Sequence, residues 1–371
     1  MIRAMTDFSC AESFVDHVLT RLYEDVHTAV TDNYDRGRFS YDGVDRSRST
    51  YFELHIAALK ALLRHSDALF RTYTLLEENE SKKLFIELLR YRLSGHKHVK
   101  LSTNTPAYWE KDRQSIAMPW TPSALGIKNI VGGDLQHREF AFEGKTIKLD
   151  GGSGSVLWPF LLKQYFFERG GVRIRPEPGD HVIDAGSCLG DTSLALGCSA
   201  GPEGRVYLFE MLDAHLKASA FNIAQNPGLA HFKTFACGLS DTVFAPPQQP
   251  PVEGRYLPGF NLPANNGVFP TTTLDCLVAS GEIPRVDFIK MDIEGSELKA
   301  LHGAEKTLRR FKPRLAISLY HDVNHFYSIP LFLESLGLGY RFHLAHYTIH
   351  AGETILYAAA DARASAPVQG A

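Results

Sequence analysis

From Asp180 onward the chain repeats one rhythm: a short apolar run, a turn, then a stretch with helical spacing. The runs are HVIDAG, RVYLFE, FKTFACGL, VDFIKMDIEG, PRLAISLYH, YRFHLAHY and TILYAA, with helical stretches opening at Asp191, Ala214 and Glu297. Apolar runs without alternation belong to strands covered on both faces, and successive parallel strands need a crossover, most simply a helix. The rhythm therefore predicts an α/β fold: a mostly parallel sheet flanked by helices, with the last two runs pairing as a hairpin at its edge.

The first hundred residues read differently. Phe14, Val15, Val18, Leu19, Leu22, Val26, Ala29 and Val30 recur at three- and four-residue intervals, and similar stripes cover 51–63, 68–76 and 84–93, the last followed by Gly95 as a helix stop. Residues 101–134 are rich in Asn, Pro and Gly and read as connecting structure, after which Phe140–Phe142 and Ile147–Leu149 alternate with period two around Glu143-Gly144-Lys145, a hairpin signature. The expected organisation is a helical region over 1–130, an α/β domain over 131–360 and a flexible tail over 361–371. Seven prolines in residues 245–270 exclude a helix or central strand there and predict a long loop or lid.

Composition removes several classes of function. Lys and Arg number 39 against 42 Asp and Glu, a net charge of −3, so the broad positive field of a nucleic-acid binder is missing. The five cysteines are scattered and form no C-x-x-C pair, which argues against a disulfide framework or zinc knuckle and favours a reducing, cytoplasmic setting. MIRAMTDFSC lacks the apolar core of a secretory signal, and the longest apolar stretch falls well short of the roughly 20 residues that span a bilayer. A soluble protein without a membrane span is expected.

Two segments carry chemistry. In VIDAGSCLGDT an apolar strand ends in Asp184, turns through Gly186 and Gly190, and enters a helix at Asp191 and Thr192. Open α/β sheets bind ligands at the carboxyl ends of their strands, and the missing Cβ atoms of Gly186 and Gly190 allow close approach of backbone to a ligand. Cys188 stands where a G-x-G-x-x-G fingerprint has its second glycine, which weakens the case for a pyrophosphate. The negative charge of Asp184 and Asp191 suits instead the ammonium and sulfonium of S-adenosylmethionine. The next strand, YLFE, ends in Glu210, placed to accept both ribose hydroxyl protons. Ser187, Thr192 and Met211 complete this cradle, and the turn carrying Ser240 and Asp241 ends a third strand where an adenine edge would lie.

The second segment is VDFIKMDIEGSE. Period-two alternation puts Lys290, Asp292 and Glu294 on one side of the strand at its carboxyl end, where three charges must pair or act. Asp292 is a candidate proton acceptor, Lys290 orients an acceptor or pairs with Asp292, and an alternative role for Asp292 and Glu294 is to hold a divalent metal such as Mg²⁺. His321, after the strand LAISLY, is a second candidate base.

The segments VIDAGSCLGDTSL, YLFE, TTTLDCL, DFIKMDIEGSELKALHGA and PRLAISLYH together resemble the FkbM family of S-adenosylmethionine-dependent methyltransferases, over roughly 137–360. The resemblance implies a class I methyltransferase, Rossmann-like, with a seven-stranded sheet. It also implies methyl transfer mainly to oxygen, on sugars, polysaccharides or natural products. It carries cofactor binding onto Asp184, Gly186, Gly190 and Glu210, and the substrate-side polar group onto Lys290, Asp292 and Glu294. The helical region and the proline-rich insertion lie outside its core and are expected to serve acceptor or homodimer contacts. Two rival readings keep the same motifs: an NAD-dependent oxidoreductase, weakened by the missing middle glycine, and a non-catalytic cofactor-binding scaffold.

Overall fold

The computed structural model describes residues 8–28, 30, 50–128, 130, 133–245, 256–257, 260–263 and 269–360. The tail and most of the proline-rich segment lie outside the described residues. Among the described residues of the first hundred, the helices are α1 (Ala11–Val26), α2 (Thr50–Arg64), α3 (Ser66–Leu75) and α4 (Asn79–Ser94), close to the stretches expected from periodicity. Gly95 stops α4 in a left-handed conformation at φ 77°.

The hairpin around Glu143-Gly144 joins β1 (Gln136–Phe142) to β2 (Lys145–Gly151), paired Phe142 to Lys145. Both turn residues have positive φ, 47° and 76°, the combination that suits the right-handed twist of a two-residue hairpin.

The central sheet holds β3 (His181–Ala185), β4 (Arg205–Phe209), β5 (His231–Phe235), β6 (Phe288–Met291), β7 (Arg314–Ser318), β8 (Arg341–His346) and β9 (Thr354–Ala359). Its order is β8-β9-β7-β6-β3-β4-β5, and the pairs β7/β6, β6/β3, β3/β4 and β4/β5 are parallel. This is the class I methyltransferase fold expected from the sequence. The chain order reverses between β3 and β6, so their carboxyl ends flank the switch point where such sheets bind ligands. The interior of β6 is fully buried, which explains its unbroken apolar run.

The chain divides into two compact units, residues 1–109 with 318–358, and residues 110–317 with 359–371. In the first, α4 meets the C-terminal strands: the Ser81 hydroxyl accepts from the Leu344 amide at 2.8 Å, and the buried Arg92 donates to the carbonyls of Tyr320 and Ala351 at 3.2 and 2.9 Å. In the second, α5 (Asp191–Ala200) follows β3 and α6 (Asp213–Ala224) follows β4. No helix among the described residues is long and apolar enough to cross a membrane.

Candidate functional site

In the second unit, β3 ends in the glycine loop, whose two glycines are required by protein packing. A Cβ on Gly186 would lie 1.8 Å from the Asp292 carbonyl oxygen, and one on Gly190 would lie 2.9 Å from the Ser219 hydroxyl. The side of each glycine that a Cβ would take is thus occupied, at Gly186 by the residue after β6 and at Gly190 by α6. Both glycines also have φ near 80°, a region open to them and strained for other residues. Cys188, at φ 46°, takes that conformation without being glycine.

Asp184 is fully buried. One carboxylate oxygen accepts from the hydroxyls of Thr192 and Ser193 at 2.7 and 2.5 Å, and the other meets the Lys290 ammonium at 2.9 Å. Lys290, 1% exposed, also donates to the Gly186 carbonyl at 2.7 Å. Burial alone pulls the Lys290 ammonium toward neutrality, but the charges of Asp184 and Asp292 outweigh it and hold its pKa above the usual lysine value. The partner of Lys290 is therefore Asp184 on the neighbouring strand, where the sequence had suggested Asp292 or an acceptor. Lys290 is one residue from the end of β6, and in the register Lys290 faces Asp184.

Glu210 follows β4 directly and is 9% exposed. Its Oε1 accepts from the Met211 and Leu212 amides at 2.7 and 2.9 Å, its Oε2 accepts from the Cys188 amide at 3.0 Å, and His215 Nδ1 stands 3.3 Å from Oε2. Burial pushes this carboxyl up, yet His215 and the backbone amides outweigh burial and leave it below the ordinary carboxylate range. One side chain so ties the glycine loop to the β4 turn. The Met211 methyl lies 3.6 Å from where a Cβ on Gly238 would be, which draws the third strand-end turn to the second.

Asp191 opens α5 half-buried, with its own carboxylate accepting from the Thr192 amide at 3.0 Å. Burial pushes its carboxyl up to about 6, against the Thr192 amide, the Ser155 hydroxyl and the Lys290 charge. Ser187 is fully buried, and its hydroxyl meets no partner among the described residues. Burial and the charges of Asp191 and Glu210 push the Cys188 thiol well up, so it stays protonated.

The second charged segment is split by the end of its strand. β6 stops at Met291, so alternation does not carry to residue 294. Asp292 follows the strand, its amide donating to the Ala185 carbonyl at 3.0 Å and its Oδ2 accepting from the Tyr165 hydroxyl at 2.7 Å. Glu294 is exposed on the turn beyond, at φ 54°. The shared strand face proposed for Asp292 and Glu294 as metal ligands is thus not formed. Ser240 is half-buried, donates to Asp241 and accepts nothing from the glycine loop in the described bonds; Asp241 is exposed. His321 belongs to the first unit, three residues past β7, half-buried with its ring 4.1 Å from that of Tyr320.

Several residues escaped the sequence reading. Tyr165 follows a π-helical turn, Leu157–Leu161, and carries no motif. Glu297, fully buried, accepts from the Ile293 amide at 2.9 Å and closes the loop after β6. Asn222 of α6 donates to the Leu189 carbonyl at 2.8 Å and holds the glycine loop from the other side. Leu125, Ile127 and Ile130 from the breaker-rich stretch, with Leu135 just after it, pack against Cys188, Leu189, Ala214 and Ala218, so this connection covers the glycine loop. A cavity of about 500 Å³ opens elsewhere, among His181, Arg205, Tyr207 and His231 at the amino ends of β3 to β5, the edge away from these loops.

Residues 184–342 match the profile of the methyltransferase FkbM domain. The chain carries an FkbM methyltransferase domain. A similar solved structure is that of methyltransferase FkbM from Methylobacillus flagellatus KT, 19% identical, with a TM-score of 0.51. The alignment covers 82% of this chain and 62% of that one, so this chain spans less than two thirds of that relative. Looser likenesses are a fibrillarin from Aeropyrum pernix with natively bound S-adenosyl-L-methionine and an S-adenosylmethionine-dependent O-methyltransferase from Thermotoga maritima. The first is 12% identical with a TM-score of 0.37, covering 64% of this chain and 87% of that one; the second is 13% identical with a TM-score of 0.32, covering 52% and 62%. No curated protein matches the chain. Within the FkbM domain fall Asp184, Glu210, Lys290, Asp292 and His321, while Tyr165 lies before its first matched residue.

Proposed function

We propose that this chain is an S-adenosylmethionine-dependent methyltransferase that methylates a hydroxyl oxygen of a sugar, polysaccharide or natural product. The observation that carries the reading is the junction of the two loops: the Gly186 turn lies against the Asp292 carbonyl, and the Asp292 amide bonds Ala185, so a cofactor cradle and a charged strand end share one edge of the sheet.

The donor set fits this cofactor. Glu210 offers a carboxylate for a ribose diol, Asp191 an acidic group for positive charge, and Ser187 a buried hydroxyl in the glycine loop. Met211, Thr192, Ser240 and Asp241 line the same strand ends. Bound there, S-adenosylmethionine supplies a methyl group made electrophilic by its sulfonium.

The chain's own contribution is mostly placement, since well-oriented reactants reach effective molarities of about 10⁵ to 10⁸ M. Asp292 accepts the acceptor's hydroxyl proton, with Tyr165 fixing its rotamer, and His321 is the second candidate for that proton. Lys290 holds Asp184 and the Gly186 carbonyl, so its task is to set the glycine loop rather than to touch the acceptor. Residues 131–360 form the catalytic region in this reading, with residues 1–130 supplying acceptor or homodimer contacts.

Mass spectrometry of glycans and hydroxylated metabolites, incubated with the protein and S-adenosylmethionine, tests the reading. The expected result is a gain of one methylene on an oxygen. Methylation of nitrogen or carbon only, or no gain on any hydroxylated compound while the cofactor is bound, overturns it.

A further inference from the structure

We infer that the cavity at the amino ends of β3, β4 and β5 is a second binding site and takes a phosphate monoester, a ligand with no part in the cofactor reading above. The cavity holds about 500 Å³, within the range of small-molecule sites, and the residues that line it all belong to the second unit. Register builds its floor. His181, Arg205 and His231 open three adjacent parallel strands and stand opposite one another, His181 beside Arg205 and Arg205 beside His231. Neighbouring strands lie about 4.8 Å apart, so the row presents an imidazole, a guanidinium and an imidazole over roughly 10 Å. Two residues further on, and so on the same face, Tyr207 stands beside Lys233.

The donors of this row lack an acceptor. Arg205 and His231 are exposed, and neither side chain meets a partner among the described residues. On the segment leading to β6, Gly281, Glu282 and Pro284 form the opposite wall, and Glu282, the carboxylate among the lining residues, is paired with Lys233. Arg285 nearby is matched by Asp287 at 2.7 Å. Arg205 is left as uncompensated positive charge in the cavity wall. Burial and the charges of Arg285 and Arg205 hold the His181 ring below the usual histidine value against the pull of Asp287. Tyr207, its phenol pushed up by burial, keeps its proton and donates it to His181 Nδ1 at 3.2 Å, which leaves Nε2 of that ring as a donor.

A guanidinium fork fits the oxygens of a carboxylate or a phosphate. A flat carboxylate is satisfied by Arg205 alone, whereas a tetrahedral phosphate has a third terminal oxygen for the imidazoles on either side. Inorganic phosphate would leave most of the cavity unfilled, so the ligand carries an organic group on its ester oxygen, as a nucleotide and a sugar phosphate both do. β3 and β4 are five residues long, roughly 16 Å, which keeps the occupant away from the Gly186 turn and Glu210 at the other end of the same strands. The occupant is therefore not the methyl acceptor.

Titration calorimetry with uridine 5′-monophosphate and glucose 6-phosphate tests the inference, with uridine, glucose and inorganic phosphate as comparisons. At least one monoester is expected to bind about tenfold or more tightly than its dephosphorylated form and than inorganic phosphate, the worth of a hydrogen bond to a charged group. The preferred monoester then distinguishes a nucleotide site from a sugar phosphate site. Arg205→Gln should weaken that monoester by about tenfold or more, and His231→Gln by about threefold, with melting temperatures close to that of wild type. Inorganic phosphate binding as tightly as both monoesters overturns the inference, as does failure of both monoesters to bind at millimolar concentration. Unchanged affinity in Arg205→Gln puts the binding elsewhere and overturns it too; should that variant not fold, unchanged affinity in His231→Gln has the same force.

Discussion

Asp184 and Glu210 close neighbouring parallel strands, both read as strand-end acids, and the structure gives them opposite surroundings. Asp184 lies within β3, one residue before its end, fully buried against Lys290 and two hydroxyls. Glu210 lies one residue past the end of β4, at the rim, and is held by backbone amides from two turns and by His215. The difference shows that an acid's place relative to the last ladder residue decides its role. Inside the ladder it is a counter-ion for the interior; outside it is an acceptor for the turns at the carboxyl end of the sheet, the edge where the cofactor reading places a ligand.

The strongest way to break this comparison is Lys290→Met. A carboxylate left unpaired in the interior typically destabilises a protein by about 3–5 kcal/mol, so this variant should melt far below wild type. A melting temperature close to that of wild type shows that Asp184 is not the interior counter-ion described. Glu210→Gln should behave in the opposite way. An amide keeps one accepting oxygen for the amides on Oε1 but turns a donor toward Cys188 and His215, so affinity for S-adenosylhomocysteine should fall by about thirtyfold to a hundredfold while stability drops much less. Titration calorimetry and thermal melting, run on both variants, separate the two roles. Unchanged affinity in Glu210→Gln removes this residue from the cofactor site.

The same contrast explains what could be read in the amino-acid sequence. The strand and helix rhythm, the glycine turn and the acid that ends YLFE follow from local rules, and they located the parallel sheet, the FkbM segments and the Glu210 position. The partner of Lys290 could not be read this way, because register across β3 and β6 is set by sheet pairing between residues more than a hundred apart. Glu294 was misplaced because period two was extended beyond Met291, where β6 ends. The glycines were legible as glycines, but what fills the space at their Cβ, Asp292 and Ser219, comes from other elements. Tyr165 and Asn222 had no local signal at all; each acts through a long-range contact.

A smaller effect sharpens the comparison at its third acid. Asp191 opens α5 with a carboxyl pushed up to about 6, from an ordinary 3.8, chiefly by burial. For an acid whose folded pKa is raised, the folded state binds its proton more tightly than the unfolded state. The stabilising contribution is complete below about pH 4 and is lost as pH rises through 6, so at pH 7.5 the ionised group weighs against folding. Asp191→Asn removes that penalty while keeping a polar helix start, and should raise stability at pH 7.5 by on the order of 1–2 kcal/mol, with the gain fading as the pH is lowered toward 4. Urea unfolding at pH 4.5 and 7.5 measures both ends. The charge should be regained in function: a cationic ligand beside Asp191 favours its ionised form, so wild-type affinity for S-adenosylmethionine should fall below pH 6, and the fall should be smaller in Asp191→Asn. A variant less stable than wild type at pH 7.5, with the same pH slope of affinity, assigns Asp191 to the fold alongside Asp184 rather than to the rim alongside Glu210.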